Sequence, residues 1–293
     1  MPRISAIFHS RIPYRGRAAA WALAGALVAC LAFGLPVPAA EQTATLRVGG
    51  TGASLGLMQL LGEEFSRQHP AVRVQVEPSL GSSGAIAAVA ARAIDLGVSS
   101  RPVTREESAR GLRHVEFART AFVFAVHRDV PISRVSLSEL AAIYAGTVTS
   151  WPDGSPIRLI LRPEREFDTN LMRSMSPELE RAVRAAQTRA GLQVAVSDQD
   201  SVVALEQVPG SIGTSSLALI ASERRKVRVL AVEGVAPSVQ ALETGAYRYA
   251  RPFYLISSAS ASATTQAFAE FAASPGAREV LLRYGALPWL PAR

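Results

Sequence analysis

From residue 46 onward, apolar positions fall into two alternating patterns. Leu46 to Val48 reads as a short strand running into Gly49-Gly50-Thr51-Gly52. Leu57, Met58, Leu61 and Phe65 then recur at helical spacing, predicting an amphipathic helix from about Ser54 to Arg67 with Ser54 as its cap. Val72, Val74 and Val76 alternate as a strand, and a helix is predicted from Ser83 to Ala93 before a strand from Ile94 to Val98. Strand and helix keep alternating beyond the apolar run 121–126. Helices are predicted at 138–144, 169–175, 177–189 and 198–207, with strands at 157–161, 192–196, 227–232 and 253–256. Helices at 261–273 and 275–284 close the chain. Short Gly/Pro/Ser links between such elements predict an α/β fold, a mostly parallel sheet covered by helices.

The first 40 residues break this pattern. Arg3, Arg11, Arg15 and Arg17 precede an apolar run from Ala18 to Leu35, and small residues follow at Val37 to Ala40. That order predicts an export signal over residues 1–40 and a periplasmic destination. Arg15-Gly16-Arg17 is not a twin-arginine pair. The lone cysteine leaves a second reading open, because Leu27-Val28-Ala29-Cys30 resembles a lipoprotein box. If Cys30 is removed with the signal, no disulfide, thiol nucleophile or thiolate metal site remains.

The signal also changes the charge picture. The chain of 293 residues carries +7, four of which lie in the signal, leaving +3 for the rest. That favours anions mildly and excludes a nucleic-acid surface as the working expectation. Arg224-Arg225-Lys226 reads as a solvated helix end, Trp151 as a packing anchor, and Asp95 as a structural partner. His69, His114 and His127 lack metal-ligand spacing and read as surface or edge residues.

The candidate chemistry lies in three places. Thr51 and Gly52 sit between a strand and a helix, where hydroxyl and free amides suit either an anion or a simple cap. Gly81-Ser82-Ser83-Gly84 repeats the arrangement with more hydroxyls than capping needs. It is neither a P-loop nor a nucleophile elbow, since no Gly-Lys-Ser/Thr follows and the spacing is not Gly-x-Ser-x-Gly. Arg162 follows the strand 157–161 at its carboxyl end, where open α/β sheets place ligands, and a guanidinium forks well onto an oxyanion.

In order, Thr51-Gly52, Gly81-Ser82-Ser83-Gly84 and Ile94-Asp95-Leu96-Gly97-Val98-Ser99-Ser100-Arg101-Pro102 resemble the phosphate-binding proteins of ABC transporters. Ser138 to Gly146 with Trp151 and Gly154 to Ile157, Pro209 to Gly213, Val232 to Ser238, and Phe271 to Ala277 with Tyr284 to Pro288 continue the likeness. The resemblance implies a two-lobed type II periplasmic binding fold with a two-strand hinge. Lobe 1 would take residues 41–124 and 253–293, and lobe 2 residues 125–252. It also implies a monomer that binds phosphate or a related oxyanion between the lobes and serves an inner-membrane ABC permease, with no cofactor and no catalysis. Thr51, Ser82 and Arg162 match the family's ligand contacts, and Gly52, Ser83 and Gly84 flank them.

Two departures stand out. Where well-known members have an aspartate that reads the ligand's proton, this chain has Ser100. The family's Asp-Gly-Ser-Gly-Thr is replaced by Glu164-Arg165-Glu166-Phe167-Asp168-Thr169, so Asp168 and Thr169 become candidate acceptor and donor, and Glu164 or Asp168 the candidate proton reader. Sulfate, molybdate-like ions and small organic phosphates are the competing ligands. A sensor or envelope accessory on the same fold is the competing function. A serine hydrolase or phosphatase is the remote one, since no base or metal cluster accompanies Ser82 or Ser83.

Overall fold

The computed structural model describes residues 44–289. Its strands are β1 (Ala44–Gly50), β2 (Val72–Val76), β3 (Leu96–Ser99), β4 (Leu112–His127), β5 (Arg134–Val135), β6 (Arg158–Leu161), β7 (Gln193–Val194), β8 (Ser211–Ser216), β9 (Val227–Val229), β10 (Ala231–Val232), β11 (Ala250–Ser258) and β12 (Ala286–Pro288). The main sheet runs β2-β1-β3-β11-β4-β8-β6-β7, with β12 and β9 also on β4; β5 and β10 pair separately. β1 is parallel to β2 and β3, and β6 is parallel to β7 and β8. β11 runs antiparallel to β3 and β4, and β4 antiparallel to β8, so the sheet is mixed.

The architecture is a two-lobed α/β fold built around one long strand. β4 pairs with β11 from Leu112 to Ala121 and with β8 from Phe122 to Val126. Its first part shares a core with Leu57, Met58, Phe65, Phe253 and Phe268. Its last part shares another with Leu140, Tyr144, Trp151, Leu179 and Ile212. Each core is closed by the apolar stripe of an amphipathic helix, which is how such stripes leave water. Helix starts follow sequence chemistry: Thr104 with Glu107, Ser136 with Glu139, and Ser197 with Asp200 form reciprocal capping boxes.

Several local expectations shift. Ser54 does not cap the helix Leu55–Gln68; a 3-10 turn over Gly52–Ser54 comes first, and the Ser54 hydroxyl donates back to the Thr51 carbonyl. The helix over Gly81–Ala90 begins two residues before the predicted start, at a glycine with φ +66°. This brings both Ser82 and Ser83 into its first turn. The predicted strand 227–232 is two strands, because β9 joins β4 while β10 turns away to β5. His127 is not a surface residue: it is buried at the end of β4, its Nδ1 accepting from the Asp129 amide. Trp151 does anchor packing, with Nε1 donating to the Gly210 carbonyl, and Asp95 accepts the Arg47 amide.

Candidate functional site

The carboxyl ends of β1, β3 and β6 bring the predicted residues toward one another. Thr51 follows β1, Ser100 follows β3 and Arg162 follows β6; all three are buried. Between them lies a residue that sequence reasoning missed. Arg251, on β11, is only 1% exposed, and its guanidinium sits at the centre of the cluster. Nε donates to Ser100 Oγ at 2.8 Å and Nη2 to Thr51 Oγ1 at 2.8 Å. Nη1 donates to Asp168 Oδ1 at 2.8 Å and to Asp198 Oδ1 at 2.9 Å.

Asp198 is the second missed residue. It opens the helix Asp198–Gln207, and its Oδ2 accepts from the Ala53 amide at 3.0 Å and from Thr51 Oγ1 at 3.3 Å. A neighbouring bond runs from Gln199 Nε2 to the Gly52 carbonyl. A Cβ on Gly52 would lie 2.9 Å from Asp198 Cβ and run into Gln199 Oε1, so glycine lets the two segments approach this closely.

Arg162 reaches the same cluster from the other side. Nη1 donates to the Ala195 carbonyl at 2.6 Å, Nη2 lies 3.6 Å from Asp198 Oδ1, and Nε lies 4.0 Å from Asp168 Oδ2 with no hydrogen-bond partner among the described residues. Asp168 Oδ2 instead accepts from Thr214 Oγ1 at 2.7 Å. Thr169 is buried, and its hydroxyl donates to the Arg162 carbonyl, bracing the backbone behind the guanidinium. Glu164 is a surface carboxylate 3.8 Å from Arg173. Of the two acids offered as proton reader, only Asp168 lies in the cluster.

Two guanidiniums and two carboxylates balance when all are ionised, but the carboxylates differ. Burial raises the proton affinity of Asp198, yet Arg251 and Arg162 outweigh it and hold the carboxyl below its ordinary range. Burial pushes Asp168 up; Asp198 adds to the rise, and the two arginines offset it incompletely. Burial opposes the Arg251 charge as well, and Asp198 and Asp168 more than restore it.

The hydroxyl-rich loop lies beside this cluster. Ser82, Ser83, Gly84, Ser100 and Arg101 line one wall of a cavity of about 240 Å³, with Glu166 and Phe167 also lining it. Ser82 Oγ accepts from the Ser100 amide at 2.9 Å, tying the loop to β3. Arg101 Nη2 lies 3.4 Å from Ser83 Oγ and is gripped by Glu107 through two 2.9 Å contacts.

The Arg101 hydrogen bond is the main cause that lowers Glu107 to about 2. A carboxyl with a depressed folded pKa stabilises the fold above the ordinary carboxylate range and loses that contribution as pH falls. The expected result is an Arg101–Glu107 clamp that is intact at pH 5 and released only as pH approaches 2. Carbon NMR of the Glu107 carboxyl checks it; a midpoint near 4.5 would show that the clamp is broken in solution.

Arg251 did leave a signal in the sequence. A charged residue in the otherwise apolar run 250–256 must find buried partners, because an unpaired charge there is costly. Asp198 left less, since an acid at a helix start is common.

The Streptococcus pneumoniae (TIGR4) "Phosphate-binding protein PstS 2" is 36% identical over 104 residues, covering 36% of this chain and 35% of that protein. The chain thus spans about a third of the length of that relative. The Bacillus subtilis "Phosphate-binding protein PstS" is 23% identical over 213 residues, 71% of this chain and 68% of that one. A Clostridium perfringens protein solved with bound phosphate superposes with a TM-score of 0.71 at 19% identity, over 84% of this chain and 100% of its own, which shows a shared fold. Residues 37–275 match the PBP superfamily domain, and the chain belongs to that family.

Proposed function

We propose that this chain is an extracytoplasmic solute-binding protein that captures phosphate between its lobes and delivers it to an ABC permease. The observation that carries the reading is the convergence of Thr51, Ser100 and Arg162 in one buried cluster beside the Ser82-Ser83 helix start. Hydroxyls, helix amides and a fixed guanidinium replace the hydration of an oxyanion, and no bond is made or broken. The relatives named as phosphate-binding proteins support the same ligand.

In this reading Thr51, Gly52, Ser82, Ser83, Gly84, Ser100 and Arg162 form the binding surface, and Asp168 and Thr169 support it. Asp168 also favours phosphate over sulfate. A buried carboxylate accepts the proton of hydrogen phosphate but repels an anion that has none. The division between the lobes falls within β4 and near the start of β11, the protein acts as a monomer, and its role is binding without catalysis. The export signal over residues 1–40 and the alternative lipidation at Cys30 lie outside the described residues; either places the binding domain beyond the inner membrane.

Titration calorimetry of residues 41–293 with phosphate, sulfate and molybdate, from pH 5 to 9, tests the reading. Phosphate is expected to bind most tightly. Absence of heat with every anion refutes the oxyanion function, and equal phosphate and sulfate affinities refute the role given to Asp168.

A further inference from the structure

A serine or threonine hydroxyl donates or accepts equally well. We propose that Arg251 sets the polarity of the site: its guanidinium fixes the Ser100 and Thr51 hydroxyls as donors and so determines that the site takes an anion. This rests on the phosphate-binding reading above and adds to it a residue on the return strand β11.

Arg251 has five N–H donors and no acceptor. Two of them are spent on Ser100 Oγ and Thr51 Oγ1, both at 2.8 Å. Each hydroxyl oxygen therefore already accepts, and its own proton is the group left to give. Thr51 directs its proton to Asp198 Oδ2 over a long 3.3 Å contact, which an incoming anion can replace. Ser100 lines the 240 Å³ cavity, and among the described residues its side chain makes no bond as a donor. Hydrogen bonds in such a chain strengthen one another, so the Arg251 charge is relayed through Ser100.

The guanidinium can do this because it cannot turn. Asp168 Oδ1 and Asp198 Oδ1 hold its third edge, and its charge lies 5.1 Å over the Phe167 ring. Its four hydrogen-bond partners, Ser100, Thr51, Asp168 and Asp198, come from four different segments, so the orientation is set by the whole fold. A lysine at this position would carry its three donors on one rotatable nitrogen, without the planar fork that aims at both hydroxyls.

The test is a double-mutant cycle read by phosphate affinity. Ser100→Ala is expected to weaken phosphate binding about tenfold in the otherwise native protein. In the Arg251→Gln/Asp198→Asn background, which removes one positive and one negative charge together, the same change is expected to cost less than twofold. Coupling of that kind appears only if the two groups act as one unit. Equal losses in both backgrounds overturn the proposal. So does native affinity in Arg251→Gln/Asp198→Asn or in Arg251→Lys. Loss of measurable binding in a variant that melts like the native protein supports it.

A crystal structure of the native protein grown with phosphate gives a second readout that needs no variant. Ser100 Oγ is expected between Arg251 Nε and a phosphate oxygen; a hydroxyl turned away from Arg251 overturns the proposal. If the native protein binds neither phosphate nor sulfate, the phosphate-binding reading fails first. If it binds and the losses are additive, only the role of Arg251 fails.

Discussion

Replacing Asp198 with alanine is expected to lower the stability of the fold by about 3–5 kcal/mol, the cost of breaking a buried ion pair from one side. Among the described residues Arg251 would keep Asp168 as its only hydrogen-bonded carboxylate, and Arg162 would lose the oxygen 3.6 Å from its Nη2. The Ala53 amide would lose its acceptor too. The deficit should depend on pH. Asp198 has a depressed folded pKa, so its contribution is present above the ordinary aspartate range and fades as pH falls below it. Urea unfolding followed by circular dichroism at pH 7 and pH 3 measures both effects. A loss below about 1 kcal/mol at pH 7 would show that the cluster is far better solvated than its burial indicates.

The second large effect concerns binding. Arg162→Ala is expected to weaken phosphate by roughly 2–3 kcal/mol, about 30- to 150-fold, the scale of hydrogen bonds to a charged group. Arg162 is suited to this because its Nε is buried and makes no hydrogen bond among the described residues, while Nη1 is anchored to the Ala195 carbonyl. The backbone behind it is also fixed, since its carbonyl accepts from both Thr169 Oγ1 and Gln187 Nε2. Calorimetry on a variant that retains its melting temperature checks the prediction. An unchanged affinity removes Arg162 from the binding surface.

What could be read in advance follows physical range. The helix Leu55–Gln68 was legible because Leu57, Met58, Leu61 and Phe65 record a local period that the core later uses. The Ser82-Ser83 loop was legible because helix-start chemistry is also local. The start of its helix was two residues off because the left-handed Gly81 lets the first turn form earlier. The charge cluster was largely illegible. Arg251 meets Thr51 across two hundred positions of sequence, and only the pairing of β11 with β3 and β4 brings them together. Asp168 was singled out as an acceptor for the ligand, and its oxygens also accept from Arg251 and Thr214, so a ligand proton has to share them. No local pattern records that competition.

The continuity of β4 has a mechanical consequence. The chain passes between its two cores with no slack: the ladder to β11 ends at Ala121 and the ladder to β8 begins at Phe122. The return crossing is bolted to that very residue, since the Phe122 amide donates to the Tyr249 carbonyl and the Tyr247 hydroxyl donates to the Phe122 carbonyl. Relative motion of the cores must therefore turn the φ and ψ angles around Phe122 instead of swinging on a loose tether. Such a joint resists swinging and yields to torsion along the strand, so any change of angle between the cores is felt first at Phe122.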